Sequence, residues 1–422
     1  MKKTGVALLG LGTVGGGTYR ILQQNRELIK KAHGLDIEVI KILDRDYNKS
    51  DALNVDRAKV TFDIDDIISD PSIGIVAEAI GGINPAKSFL IKALEAGKSV
   101  VTANKELCAK CWDELNAAAK KGKAGFYFEA SCVGGVPIIR TLMDGMQANN
   151  ILEMKGIVNG TTNYILSAMT QCGTEYSDAL KEAQKLGYAE ANPTADVDGF
   201  DASYKISILS TLAFHKHVPL EKVYREGISS ISVEDINYGK ELGMTLKLLA
   251  IAKNNGGKIE ARVHPAFVDN AHPLATVSGS FNAVHLLGDM VGDIMLYGRG
   301  AGDLPTGSAI VSDIVYAANK GGAKYNYNNG TFKDSDFAGD FTCKYYIRMN
   351  VSDKSGTLGK IATVFGKNKV SLQSVLQKDV KDGFAPIVFT THETGEKNMQ
   401  KALAAVKELD SVIDVAAVIR IE

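Results

Sequence analysis

The chain has 422 residues, enough for two or three domains, each with its own hydrophobic core. A content of 45% hydrophobic and 23% charged residues is ordinary for a globular protein, and the net charge of −1 gives no electrostatic reason to expect a nucleic acid or an anionic membrane as partner. No apolar run reaches the ~18–20 residues of a membrane span, and glycines interrupt the apolar N-terminus. We therefore expect a cytoplasmic protein without a membrane or nucleic-acid partner.

A glycine motif lies close to the N-terminus. A short apolar run at residues 5–9 predicts a buried strand that leads into GLGTVG, followed by an amphipathic stretch to about His33. In this context the G-x-G-x-x-G motif is typical of a dinucleotide-binding turn, because its glycines let the pyrophosphate approach the N-terminus of the helix. The residues predicted to contact the cofactor are Gly10, Gly12, Thr13, Val14 and Gly15.

Two neighbouring residues bear on the choice between NAD and NADP. A second strand is predicted at residues 37–43, and Asp44 stands at its end, where an acidic residue binds the ribose hydroxyls and favours NAD. Arg45 follows, and an arginine there can hold the 2′-phosphate of NADP. The sequence leaves the preference open.

Strands and helices alternate through residues 1–130 and predict a Rossmann domain with a doubly wound parallel sheet. Further strands are predicted at residues 75–79, 99–102 and 125–129, with helices at residues 85–96 and 106–121. Ligands bind beyond the carboxyl ends of such strands, so the loops EAIGG and TANK, which contain Ile80 and Lys105, should face the cofactor.

The stretch GYAEANPTADVDGFDASYK, residues 187–205, gathers carboxylates around one lysine. Asp198 is predicted to cap a helix, with Asp201 three residues later. Asp201 and Lys205 share the helix face that carries the apolar residues. One interpretation is an ordinary i,i+4 ion pair on a capped helix. The apolar face favours instead a buried lysine that exchanges a proton with a substrate oxygen.

The cysteines and histidines do not indicate a metal site. The five cysteines are odd in number and dispersed, so no disulfide framework is implied. Cys108 and Cys111 form a C-x-x-C pair in an apparent helix, without a second Cys or His pair at zinc spacing. We expect structural roles for them.

The pattern changes past residue 130. Strands are predicted at residues 151–158 and around residues 260–268 and 281–286, and a helix at about residues 305–320 is expected to return to the first domain. Together, residues 131–320 are predicted to form an α+β substrate and dimerisation domain. Residues 321–341, which include YNYNNG, are predicted as a linker.

Residues 342–422 are predicted to form a separate regulatory module. A cleanly alternating strand at residues 343–351 opens the order βαββαβ, which is typical of a ferredoxin-like fold. The predicted fold class is therefore α/β, with an N-terminal Rossmann domain, an α+β domain and a C-terminal ferredoxin-like domain.

A series of segments carries a family resemblance. They are, in chain order, GLGTVG, AEAIGG, VTANK, EASCVGGVPI, VNGTTNYIL, LGYAEANPTADVDGFDASYK and GRGAGDLPTGSAIVSD. In this combination they resemble the homoserine dehydrogenase family over about residues 4–320. The C-terminal module resembles an ACT domain, an amino-acid-sensing unit appended to many enzymes of this family.

The resemblance implies a reversible, NAD(P)-dependent interconversion of L-aspartate 4-semialdehyde and L-homoserine, in the pathway to threonine, methionine and isoleucine. Lys205 matches the catalytic lysine of the family, and Asp201 matches the aspartate that supports substrate and proton transfer. Glu190 and Asp196 match acidic residues that bind the amino group and line the substrate pocket. Lys105 matches a lysine near both nicotinamide and substrate.

The resemblance also implies a sodium ion and one more cofactor contact. Gly302 matches a glycine on the cofactor side of a late turn. Residues 129–136 match a loop that coordinates sodium mostly through backbone carbonyls, with ligands at Glu129, Cys132, Gly134 and Val136. Cys132 stands where the family commonly has valine, which matters little for a carbonyl ligand.

An ACT domain implies regulation by an amino acid, and threonine is the first candidate. Residues 353–358 are the loop expected near an effector or a dimer interface, and we expect a homodimer or homotetramer. One alternative is another ACT-bearing Rossmann dehydrogenase, which would need a catalytic histidine, and no histidine lies in a site-like loop. A non-catalytic amino-acid sensor is the other alternative. Loss of Lys205 or Asp201 would have favoured it, and both are present.

Overall fold

The computed structural model describes residues 2–320, 330–378 and 384–422. A six-stranded parallel sheet in the order β3-β2-β1-β4-β5-β6 forms the N-terminal domain. Its elements are β1 (Lys2–Leu9), α1 (Thr13–Gln24), α2 (Arg26–His33), β2 (Leu35–Leu43), α3 (Tyr47–Ala52), β3 (Val60–Thr61), α4 (Asp65–Ile68), β4 (Ile73–Glu78), α5 (Ala86–Glu95), β5 (Ser99–Thr102), α6 (Lys105–Lys110), α7 (Trp112–Gly122) and β6 (Phe126–Tyr127). This order confirms the predicted Rossmann domain.

Two predicted helical stretches of this domain are each divided into two helices in the structure. The amphipathic stretch that ends at His33 is divided at Asn25, which ends α1 and begins α2. Asparagine favours such positions because its side chain competes with the helical backbone for hydrogen bonds. The helix predicted at residues 106–121 is divided at Cys111, which separates α6 from α7.

The middle domain places helices on one face of an antiparallel sheet. Its elements are α8 (Ile138–Arg140), β7 (Ile151–Ile157), α9 (Gly160–Cys172), α10 (Tyr176–Lys185), α11 (Thr194–Val197), α12 (Phe200–Ala213), β8 (Tyr224–Arg225), α13 (Val233–Glu241), β9 (Met244–Asn255), β10 (Lys258–Asp269), β11 (Phe281–Gly288), β12 (Gly292–Arg299) and α14 (Asp303–Lys320). The strands β9 and β12 were not predicted. Most of β9 is a continuous apolar run that is buried along its length, so it lacks the alternation that marks a half-buried strand.

The helix α12 lies at the centre of this domain. Nearly all of its side chains are buried, including Asp201, Lys205 and Ser207. A helix that is buried on all sides has no solvent-facing stripe, so the predicted amphipathic helix is in fact a core helix.

The C-terminal domain confirms the predicted ferredoxin-like order. Its elements are β13 (Thr342–Ser352), α15 (Thr357–Lys367), β14 (Leu372–Gln377), β15 (Phe384–Thr391), β16 (Thr394–Gly395), α16 (Glu396–Lys407) and β17 (Val412–Ile421). Its sheet is joined to that of the middle domain, because β17 pairs with β10 in parallel at Ala266–Arg420 and Phe267–Ile421. One eleven-stranded sheet therefore runs through both domains.

Two further segments connect the domains. The helix α14 packs against α1 so closely that a Cβ atom on Gly17 would lie 2.2 Å from the Asp303 carbonyl oxygen. Residues 330–341 run along the middle domain, where His217 N–H donates to the Gly330 carbonyl. The rest of the predicted linker, residues 321–329 with most of YNYNNG, lies outside the described residues. No helix of the described chain is long and apolar enough to cross a membrane.

Candidate active site

The glycine motif forms a tight turn between β1 and α1. Gly10 has a φ of +91°, a conformation that favours glycine, and its N–H donates to the Leu43 carbonyl at 2.8 Å. A Cβ atom on Gly15 would lie 1.9 Å from the Gly10 carbonyl oxygen, so the turn closes only with glycine there. A Cβ atom on Gly12 would meet no protein atom within 4 Å. Gly12 therefore borders open space at the start of α1, where a pyrophosphate can approach the N-terminus of the helix.

The Asp44 carboxylate is hydrogen-bonded to the backbone of this turn. Its carboxylate accepts hydrogen bonds from Leu11 N–H at 2.6 Å and Asp46 N–H at 3.0 Å, and Lys49 lies 3.5 Å away. Asp44 is buried, whereas Arg45 is exposed and forms no salt bridge within the described residues. The acidic residue therefore organises the glycine turn, and the basic residue is available to a ligand.

The loops EAIGG and TANK follow the neighbouring strands β4 and β5 and are joined by side chains. The buried Glu78 carboxylate accepts hydrogen bonds from Ile80 N–H, Gly81 N–H and the Thr102 hydroxyl. Asn104 caps α6 and donates its amide to the Gly82 carbonyl at 2.6 Å. Ile80 is 37% exposed at this edge of the sheet. The sequence showed the loops but not the organising role of Glu78, whose one signal is a carboxylate at the end of a buried strand.

Asp201 is held by two lysines from different domains. Lys205, one turn later on α12, lies 2.7 Å from Oδ2, and Lys105, the first residue of α6, lies 2.8 Å from Oδ1. Lys205 also donates to the Val158 carbonyl at 2.6 Å. Burial alone would raise the pKa of Asp201, but the two lysines hold it well below its usual range. Asp201 in turn raises the pKa of Lys105.

Asn159 joins a second carboxylate to this cluster. Its amide donates to Asp196 at 2.7 Å and to Asp201 at 2.9 Å, while its oxygen accepts from Thr162 N–H at 2.9 Å as the cap of α9. Burial raises the pKa of Asp196. The contact of Asn159 with the acidic stretch was not predicted, because the two segments lie 37 residues apart.

Glu190 lies at the margin of the cluster. Its carboxylate is exposed and forms neither a hydrogen bond nor a salt bridge within the described residues. The loop that carries it is fixed by the Thr161 hydroxyl, which donates to the Tyr188 carbonyl at 2.6 Å. The structure therefore brings together Lys105, Asp196, Asp201 and Lys205 and leaves Glu190 open to solvent.

The predicted start of α12 is wrong by one residue. Gly199, with a φ of +78°, is the N-cap residue, and Asp198 ends the short helix α11 instead. Glycine is favoured here because the backbone reverses direction between the two helices in a left-handed conformation. The Asp198 carboxylate consequently caps nothing.

The loop of residues 129–136 lies beneath α12. The Cys132 thiol contacts the Lys205 carbonyl at 3.9 Å, and burial raises its pKa to about 12. The two oxygens of the Glu129 carboxylate accept from Ile139 N–H at 2.8 Å and Arg140 N–H at 2.7 Å. Burial raises the pKa of Glu129 to about 7. Both oxygens of the Glu129 carboxylate are therefore engaged, which leaves the backbone carbonyls and the Ser131 hydroxyl as the other oxygen donors of this loop.

The glycine-rich turn before α14 packs on this loop. Gly135 N–H donates to the Arg299 carbonyl at 3.0 Å, and a Cβ atom on Gly134 would lie 2.4 Å from the Gly300 carbonyl oxygen. Gly302, with a φ of +124°, directly precedes α14, whose first turn contacts α1 behind the cofactor turn. Gly134 and Val136 thus pack against residues 298–300, just before Gly302.

The described residues contain no group of three His, Cys, Asp or Glu side chains that could hold a metal ion. Cys108 and Cys111 are buried free thiols in the core of the first domain.

Family models match each of the domains. The homoserine dehydrogenase NAD binding domain matches residues 10–129, homoserine dehydrogenase matches residues 137–315 and the ACT domain matches residues 345–411. Homoserine dehydrogenase of Bacillus subtilis is 41% identical over 430 residues, which cover 100% of this chain and 99% of the relative. The chain belongs to the homoserine dehydrogenase family.

Other homoserine dehydrogenases give the same result. The Helicobacter pylori protein is 41% identical over 423 residues, covering 100% of this chain and 99% of its own. The crystal structure of a homoserine dehydrogenase from Thiobacillus denitrificans superposes with a TM-score of 0.92 at 40% identity, and covers 100% and 99% of the two chains. A hyperthermophilic archaeal homoserine dehydrogenase in complex with NADPH has a TM-score of 0.64 at 28% identity, and covers 75% of this chain and 98% of its own.

As a homoserine dehydrogenase, the protein is an NAD(P)-dependent oxidoreductase with a C-terminal ACT domain. The prediction of family, fold class and activity is confirmed, and the two alternative functions are set aside. The lysine–carboxylate cluster lies at the boundary of the dinucleotide-binding and middle domains.

Proposed function

We propose that Lys205 handles the proton of the reacting oxygen and that Asp201 positions it. The observation that carries this proposal is the buried contact of 2.7 Å between the two side chains. A bound nicotinamide supplies or accepts the hydride at the carbon that bears this oxygen. In the direction of aldehyde reduction, the Lys205 ammonium donates a proton to the oxygen, and in the reverse direction the amine recovers it. Asp201 and the Val158 carbonyl fix the direction in which Lys205 points.

The neighbouring residues are proposed to hold the rest of the substrate. Homoserine and aspartate semialdehyde both carry an ammonium group, which the carboxylates of Glu190 and Asp196 would bind. Lys105 is the last residue of the TANK loop and contacts Asp201, which supports a role for it in contacting both substrate and nicotinamide. Two reactants held in this way gain much of their rate from orientation.

The glycine turn is proposed to bind the pyrophosphate through Gly10, Gly12, Thr13, Val14 and Gly15, with Ile80 and Gly302 flanking the nicotinamide. For the adenosine end we propose a preference for NADP. Support comes from Asp44, whose oxygens already accept two backbone hydrogen bonds, and from Arg45, which is exposed and unpaired. A guanidinium is well suited to a 2′-phosphate.

The loop of residues 129–136 is proposed to hold a sodium ion through backbone carbonyls, the donors being Glu129, Cys132, Gly134 and Val136. The donor set supports this, because hard cations prefer oxygen and the Glu129 carboxylate is already used by two amides. The ion would serve to fix the loop under Lys205, which Cys132 contacts.

Three properties of the whole protein are also proposed. The ACT domain is the reason to propose regulation by an amino acid, with threonine as first candidate, in the pathway to threonine and methionine. A homodimer or homotetramer is proposed, with residues 353–358 near an effector or subunit contact. The five free cysteines, four of them buried, support a reducing compartment such as the cytoplasm.

The proposed chemistry is tested by nicotinamide absorbance with homoserine, using NADP and NAD side by side, with and without threonine and with sodium or choline as the cation. We expect turnover to be faster with NADP than with NAD, to be lowered by threonine and to depend on sodium. Turnover faster with NAD would contradict the role of Arg45, and unchanged kinetics with millimolar threonine would contradict the effector.

A further inference from the structure

A cavity lies where the ACT domain leaves the middle domain. The strand β17 pairs with β13 from Val412 to Ile421 but with β10 only at its last residues, Arg420 and Ile421. Within the described chain, the edge formed by residues 412–419 therefore faces the middle domain without a partner strand. A cavity of about 390 Å³ separates this edge from residues 225–231.

Two opposite charges line this cavity without pairing. The Asp198 carboxylate does not cap α12, and it forms no hydrogen bond or salt bridge within the described residues. Arg225 lies on the same wall and makes no salt bridge with any described carboxylate. Its guanidinium donates instead to the backbone carbonyl of Asp198 and lies 3.5 Å from the ring centroid of Phe200.

The other acidic side chains of the cavity are already neutralised. Glu226 is 2.9 Å from Arg420, and Asp235 is 2.7 Å from Arg348. One carboxylate and one guanidinium therefore remain for a ligand, together with the exposed residues Ser229 and Ser230 and the open edge of β17.

We propose that this cavity binds a free α-amino acid, with its ammonium group on Asp198 and its carboxylate on Arg225. A ligand with one charge of each sign matches the unpaired groups, and charge-assisted hydrogen bonds supply its affinity. The volume leaves room for a small side chain beside Ala417 and Ile419 of the ACT domain. This inference rests on the proposed regulation by an amino acid and gives its effector a site.

The cavity is directly connected to the substrate cluster. Ile228 N–H donates to the Val197 carbonyl at 2.9 Å, and a Cβ atom on Gly227 would lie 2.5 Å from the same oxygen. Val197 follows Asp196, and α12 with Asp201 begins three residues later. Because a ligand would contact residues 225–231 and β17 together, its binding acts on the segment that positions both carboxylates.

The test is calorimetric titration of the full-length protein with L-threonine and L-methionine, and with N-acetyl-L-threonine, which lacks the ammonium group. The variants are Asp198→Asn, Arg225→Leu and, from the ACT side, Ala417→Leu, which fills the cavity without altering the helices of the middle domain. Asp178→Asn is the matched control, because it removes an exposed carboxylate of α10 that pairs with Lys181 and does not line the cavity. Circular dichroism verifies that each variant is folded.

We expect the wild type and Asp178→Asn to bind L-threonine or L-methionine equally, and the three cavity variants to bind about tenfold more weakly or worse. N-acetyl-L-threonine lacks the ammonium group that Asp198 is proposed to bind. Its affinity for the wild type should therefore be no higher than the affinity of Asp198→Asn for L-threonine. Wild-type affinity in Asp198→Asn and Ala417→Leu would overturn this site while leaving the effector proposal intact. Absence of binding to the wild type would overturn the effector proposal and this site together.

Discussion

Lys105 of the dinucleotide-binding domain lies 2.8 Å from Asp201 of the middle domain, and this salt bridge joins the two domains across the active site. Asp201 is buried, so its negative charge needs positively charged groups in direct contact. Lys205 supplies the second positive charge. Each oxygen of the Asp201 carboxylate therefore contacts one lysine, one from each domain.

Replacing Lys205 with methionine should lower kcat by about 10²- to 10⁴-fold, because the reacting oxygen loses its proton donor. The affinity for NADPH should be unchanged, since no described contact links Lys205 to the glycine turn. Steady-state kinetics and fluorescence titration of NADPH measure the two quantities. Lys98→Met is the control, because Lys98 is equally buried but binds only the carbonyls of Asp70 and Ile73. Wild-type turnover in Lys205→Met would remove this residue from the mechanism.

Replacing Lys105 with methionine should lower kcat/KM by about 10- to 100-fold, because Asp201 loses one of its two charge partners and the domains lose their link across the site. The change should also raise the pKa of Asp201, since Lys105 contributes to holding it low. Because the pKa of Asp201 is lower in the folded protein than in the unfolded chain, its ionised carboxylate stabilises the fold at neutral pH. This contribution to stability is lost as the pH falls through the pKa of the folded state. The variant should therefore unfold at a higher pH in acid titration.

Lys110→Met on the same helix is the control for this variant, because Lys110 pairs with half-buried Glu106 and lies over the Tyr204 ring, and within the described residues it forms no salt bridge with Asp201. Equal kcat/KM in Lys105→Met and Lys110→Met would contradict the proposed role.

Gly12→Ala should leave the stability of the free protein unchanged and weaken NADPH binding by about tenfold or more, because the added methyl group occupies space that only the cofactor needs. Gly74→Ala is the matched control, since a Cβ atom there also meets nothing within 4 Å but lies on β4 away from the turn. Thermal unfolding and NADPH titration separate the two effects. A loss of stability without loss of affinity would show that Gly12 serves the fold alone.

Periodic patterns explain which parts of the structure were predictable. The ACT domain was predicted nearly element by element, because β13 alternates in sequence and α15 is amphipathic. The strand β9 escaped prediction since it is apolar on both faces. The parallel pairing of β10 with β17 joins residues 154 positions apart, as at Ala266–Arg420, and no local pattern encodes such a contact.

The candidate site was predictable as a set of residues but not as a geometry. Asp201 and Lys205 are one helical turn apart, so their contact follows from the sequence. Asn159 bonds to two carboxylates more than 30 residues away, and Glu78 organises a loop from the end of a buried strand. Both roles depend on where the chain brings distant segments together.

Arg45→Ala should lower kcat/KM with NADP by about tenfold or more and leave kcat/KM with NAD unchanged, because only NADP carries the 2′-phosphate that the guanidinium would bind. Arg57→Ala is the control from the same domain, as Arg57 is already paired with Asp51 at 2.5 Å. Equal losses with both cofactors would show that Arg45 supports the turn rather than selecting the cofactor.

Lys247 gives a stability prediction that is independent of the active site. It is 3% exposed on β9 and donates to the Val277 carbonyl at 2.5 Å, and burial lowers its pKa to about 8. Between pH about 8 and about 10.5 the unfolded chain binds more protons than the folded one, so stability should rise with pH across this window. Below it, the folded protein bears the cost of a buried ammonium group. Lys247→Met should therefore be more stable at pH 7 by about 1–3 kcal/mol, with no such rise at alkaline pH.

Urea unfolding of the wild type and of Lys247→Met at neutral and alkaline pH measures this difference. Lys240→Met serves as the control, because Lys240 is exposed at the end of α13 and its loss should leave both the stability and its pH dependence unchanged. A lower stability of Lys247→Met at pH 7 would mean that the bond to Val277 outweighs the cost of burying the charge, and that Asn163, which also donates to that carbonyl at 3.3 Å, cannot replace it.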